Sequence, residues 1–90
     1  MQRIVAAAIR DEGTGLTFSL PAPARHHDVL RAMTALGLDA MKIGHPDAQG
    51  FLTDTGRFLG RIGAACCAID AGQIDALKFN ARELFSEDLW

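Results

Sequence analysis

Ninety residues, 49% of them hydrophobic and 22% charged, describe one folded domain spanning residues 1–90; a two-domain enzyme and a disordered chain are excluded. Nine basic residues against eleven acidic ones leave a formal charge of −2, without the basic surplus that drives non-specific nucleic-acid binding, and the acids are too scattered to mimic DNA. No apolar stretch approaches the roughly 20 residues that span a bilayer, no signal-peptide pattern appears, and the adjacent Cys66 and Cys67 cannot frame a small secreted fold, so a reducing cytoplasm is expected.

Arg3 to Arg10 reads as a strand with a buried face, and Leu16, Phe18 and Leu20 alternate with Thr17 and Ser19 as a second strand. Asp11 to Gly15 supplies the turn between them, and Pro21 and Pro23 end the sheet. A helix is predicted from about Pro23, in its first turn, to Leu36, with Val29, Leu30, Met33 and Leu36 as its apolar stripe. Gly37 is its stop, and Leu38 packs back on Met33. Residues Asp39 to Gln49 have loop composition. Gly50 to Gly60 predicts a second hairpin turning at Thr53 to Gly56, followed by a helix from about Arg61 to Ala71 that buries Ile62, Ala65, Cys66 and Ile69 and ends at Gly72. The last eighteen residues are too apolar for a free tail, and Ser86 is placed to cap a final helical turn. The expected architecture is α+β: two β-hairpins forming an antiparallel four-stranded sheet with two helices on one face, in the order ββαββα.

Arg25-His26-His27-Asp28 is the densest polar cluster, set in a helical first turn where free N–H groups attract an anion and a histidine can switch near neutral pH. One histidine packed against the hairpin, with the other solvated about a hundred degrees round the helix, would give the same pattern. Arg57 after Gly56, with Arg61, could clamp a carboxylate or phosphate. Adjacent histidines diverge, His45 and Asp47 are distant in a loop, and no Cys-x2-Cys or His-x3-His spacing occurs, so neither a metal nor a cofactor is expected. Cys66 is read as core and Cys67 as its flank, both inert. No phosphate loop, nucleophile elbow or paired carboxylates appear, so catalytic residues are not assigned and an enzyme is the minority reading.

The pattern Gln49-Gly50-Phe51-Leu52-Thr53-Asp54-Thr55-Gly56-Arg57-Phe58, then Ala71-Gly72-Gln73 and Leu84-Phe85-Ser86-Glu87-Asp88-Leu89-Trp90, together with Pro21 to His27, resembles small phage- and prophage-encoded proteins. In those sequences the positions of Gly60 and Gly63 tend to carry Asp and Glu, a natural cap that this chain lacks. The resemblance implies a phage origin without a reaction. By analogy it implies a protein in the host cytoplasm that binds and blocks a host defence machine such as a CRISPR effector, as anti-CRISPR proteins do. The partner is then a host protein complex, contacted through Arg25, His26, His27, Arg57, Arg61 and Trp90, with no nucleic acid or membrane involved. Trp90 could instead serve the core or a homodimer. The competing expectations are a module that binds or hydrolyses a nucleotide or signalling phosphate, and an accessory protein of the phage particle.

Overall fold

The computed structural model describes residues 2–11, 13–39 and 48–90. Four strands, β1 (Ile4–Arg10), β2 (Thr17–Pro21), β3 (Gln49–Thr53) and β4 (Phe58–Gly60), form one antiparallel sheet in the order β2-β1-β3-β4. Helices α1 (His26–Ala35) and α2 (Arg61–Asp70) follow the two hairpins, and a short helix α3 (Ser86–Leu89) closes the described chain. The α+β order ββαββα is therefore as expected. No helix of the described residues is long and apolar enough to cross a membrane.

One irregularity in β1 decides which residues reach the core. Ile4 pairs with Thr53 but Ala6 with Leu52, so Val5 is an extra residue that reverses the alternation. Ile4, Ala7 and Ile9 consequently share the helix-covered face with Phe51, and all four are buried. The bulge leaves backbone groups without a strand partner, and the Gln73 side chain fills both roles. Its Oε1 accepts from Ile4 N–H at 2.6 Å and its Nε2 donates to the Ile4 carbonyl at 2.8 Å.

The two helices cover different halves of that face. Val29 and Met33 of α1 bury against Ile9, with Phe18, Leu20 and Leu38 at the margin. Ala64, Ala65 and Ala68 of α2 bury against Ile4, Ala7 and Phe51, and Leu84 completes this second cluster. Both helices stop as their glycines require, because a left-handed residue lets the last carbonyls be satisfied. Leu38 N–H bonds Met33 O and Gly37 N–H bonds Thr34 O, while Gln73 N–H bonds Ala68 O and Gly72 N–H bonds Ile69 O, with φ +84° at Gly37 and +71° at Gly72.

Several expected details are corrected. Pro23 lies outside α1, whose N-cap is Arg25, because Pro21 is the last residue of β2 and three connecting residues follow. Leu16 precedes β2 and is exposed, and Leu36 sits past the last helical residue, 73% exposed. In α2 the expected face holds at Ala65 and at the flanking, half-buried Cys67, but Ile62, Cys66 and Ile69 are exposed and Ala64 and Ala68 are buried in their place, because small alanines let the helix lie close on the sheet. Ser86 does not cap α3. The Asp88 carboxylate does, accepting from Phe85 N–H and from Lys78 N–H, each at 2.9 Å. The greater part of the Asp39 to Gln49 loop, with His45 and Asp47, lies outside the described residues.

Candidate functional site

Four of the six expected contact residues meet where the start of α1, the start of α2 and the C-terminal segment converge. His26, the first helical residue of α1, points into the sheet: its ring stands edge-on to Phe51, centroids 5.0 Å apart, and Nε2 lies 2.7 Å from the Gly50 carbonyl. A neutral ring donating from Nε2 fits that contact, and burial pushes the His26 pKa below its ordinary value, with Arg61 adding to the shift. Arg61 donates to Leu84 O at 2.8 Å and to Gln49 Oε1 at 2.5 Å, and its guanidinium lies 4.5 Å over the Phe85 ring. Burial likewise pulls the Arg61 pKa down, opposed by Glu83 and Glu87.

Arg25 and Trp90 complete this junction. The Arg25 guanidinium donates to the main-chain oxygen of Trp90, and the Trp90 indole donates to Ala24 O at 2.9 Å. Trp90 thus packs on its own chain, against the α2 cluster. The first turn of α1 is also occupied: Arg25 N–H donates to Asp28 Oδ2 at 2.8 Å, which holds the Asp28 carboxyl below its usual range. These side chains lock the elements to one another.

His27 and Arg57 remain on the surface. His27 stands 3.4 Å from Asp28, and Arg57 borders a separate cleft of about 290 Å³ shared with Gln2, Cys67 and Asp70. Asp70 on that cleft works against an anion, and burial with nearby Asp54 and Asp70 pushes the Cys67 thiol up, away from nucleophilic use. Among the described residues, no group of three or more His, Cys, Asp and Glu is placed to hold a metal ion.

The shared sequence pattern is scaffold in the same sense. Gly50 has no room for a Cβ, which would stand 2.3 Å from Leu59 O and 2.6 Å from the Phe58 ring. Thr53 N–H donates to Arg57 O at 2.9 Å and its hydroxyl accepts from Arg57 N–H at 3.2 Å, fixing the turn in which Gly56 has φ +83°.

A second candidate site, which the sequence did not reveal, lies at the opposite edge. A groove of about 310 Å³ runs between β2 and α1, floored by Phe18, Leu20, Val29 and Met33 and rimmed by Ala32 and Leu36. β2 is the edge strand, and its hydrogen-bond parity is set at both ends: Asp11 N–H bonds Leu16 O, and Ala22 N–H bonds Val5 O. Phe18 and Leu20 therefore turn their main-chain groups to β1, and Thr17 and Ser19 turn theirs outward. Pro21, at the end, offers no N–H. Apolar floor and open backbone edge lie side by side, the combination that receives an extended peptide. The signal available in the sequence was the Thr17/Ser19 alternation; that β2 is an edge depends on β1 pairing with both hairpins.

Comparison with curated proteins and with solved structures gives no match for this chain. A family model, described as Phage T4 y16D protein, matches residues 3–90. With the match running through every described element from β1 to α3, the chain belongs to the Phage T4 y16D protein family.

Proposed function

We propose that this phage-family protein acts by binding: an extended segment of a host protein adds to the free edge of β2, sets apolar side chains in the β2–α1 groove, and the contact blocks a host defence machine. The observation that carries the reading is the pairing of outward main-chain groups at Thr17 and Ser19 with an apolar groove beside them. Backbone groups supply affinity in such contacts and the groove supplies selectivity for alternate side chains. The phage family supports a host target, and CRISPR effectors are the class to test first. The side chains on this surface carry no net charge pattern, which favours an apolar or mixed peptide over nucleic acid.

The test is phage plating on cells with an active CRISPR system, with and without the protein, paired with hydrogen exchange on the purified protein–effector complex. Restored plating is expected, with slowed exchange at the Thr17 and Ser19 amides. Leu36→Lys should abolish both without lowering the melting temperature, since that side chain is already in water and a cation suits the C-terminal end of α1. Unchanged plating together with stabilisation by a nucleotide at micromolar concentration would favour the small-molecule reading instead.

A further inference from the structure

Helix α2 distributes its side chains in the reverse of the usual order for a solitary domain. Its large apolar residues face water: Ile62 is 55% and Ile69 43% exposed, and Cys66 between them is exposed too. Steps of four and three residues put all three on one line along the helix. The opposite face is alanine, buried on the sheet. With charged residues at its two ends alone, Arg61 and Asp70, the helix is apolar all round, and a helix of that kind is normally covered on every side.

The ends of α2 indicate what covers it. Its N-terminus has no side-chain cap on Gly60 and no acid in the first turn, while its last turn carries Asp70 and no base. Each end has the unfavourable arrangement for the helix dipole. An antiparallel copy of the same helix corrects both, because Asp70 of one chain then lies beside the N-terminus of the other. The apolar line is self-complementary in that orientation. Ile62 meets Ile69 of the second copy, and the small Cys66 falls at the two-fold axis, where close helix approach needs a small residue.

We infer that α2 is a self-association surface, through which two copies of this chain pair antiparallel along Ile62, Cys66 and Ile69. The inference does not rest on the β2–α1 groove, which lies over the other half of the sheet. Sedimentation equilibrium over a concentration series should give a mass twice that of the chain. A short bismaleimide should link the copies through Cys66: the link persists in Cys67→Ser and vanishes in Cys66→Ser. Ile62→Glu should weaken pairing about 100-fold or more, since symmetry buries the new charge twice. Asp70→Arg should weaken it about tenfold, by placing a cation at the positive helix end. Circular dichroism verifies that each variant is folded, and Ile69→Glu replaces Ile62→Glu if the latter is not. A monomer at every concentration would overturn the inference. So would a dimer indifferent to both the isoleucine and the Asp70 substitutions, or one linked through Cys67.

Discussion

His26 shows how an apparent surface switch becomes a folding element. Adjacent histidines at a helix start diverge, so that one can pack while the other stays in water, and it is the first of them that is buried against Phe51 with the Gly50 carbonyl as its partner. Burial lowers its pKa, so below its ordinary value of about 6.5 the unfolded chain binds a proton that the folded chain resists. Stability is therefore complete above that pH and declines as pH falls toward the depressed folded value. Urea unfolding at several pH values should show this slope. His26→Phe should remove it, while costing about 1–3 kcal/mol at neutral pH because Gly50 O loses its donor. Asp28 produces a separate loss at lower pH, where its carboxylate, depressed chiefly by the Arg25 N–H, takes up a proton.

Between helices, one capping device recurs. In α1 and α3 a carboxylate at the third helical position, Asp28 or Asp88, accepts the N-cap N–H of Arg25 or Phe85. Helix α2 has Gly60 as its N-cap and Gly63 at that third position, and so lacks both halves of the device. No atom outside the immediate chain lies within 4 Å of a Cβ built on Gly60, and the backbone there is already extended. Gly60→Asp should then stabilise the monomeric fold by about 0.3 kcal/mol, visible as a slightly raised melting temperature in dilute solution. Element types and most boundaries were legible because strand alternation, turn glycines and left-handed helix stops are local. The inner face of α2 was not, since an apolar helix offers periodicity with no polar side to orient it. The Val5 bulge also escaped, because the side chain that satisfies its backbone is Gln73, sixty-nine residues beyond Ile4. Of the candidate contact residues, sequence identified the polar cluster but could not show that Arg25, His26, Arg61 and Trp90 engage their own chain.

Across the whole molecule, the C-terminal segment fastens the two halves. Leu84 is buried in the α2 cluster, Asp88 holds Lys78 and Phe85, and Trp90 reaches back to Ala24 and Arg25 ahead of α1. Asp88→Ala leaves two backbone N–H groups without their acceptor and should cost about 2–3 kcal/mol. The single tryptophan reports the outcome: its emission should shift to the red and its quenching by iodide should rise before the sheet unfolds. Strand order has a longer reach. Because β2 and β4 are opposite margins, the outward groove beside α1 and the bare isoleucines of α2 belong to different flanks. Two chains joined along α2 would hold their grooves apart and free, a bivalent clamp. A target built from repeated subunits would then be gripped at two points at once, and the second grip would be governed by local rather than bulk concentration.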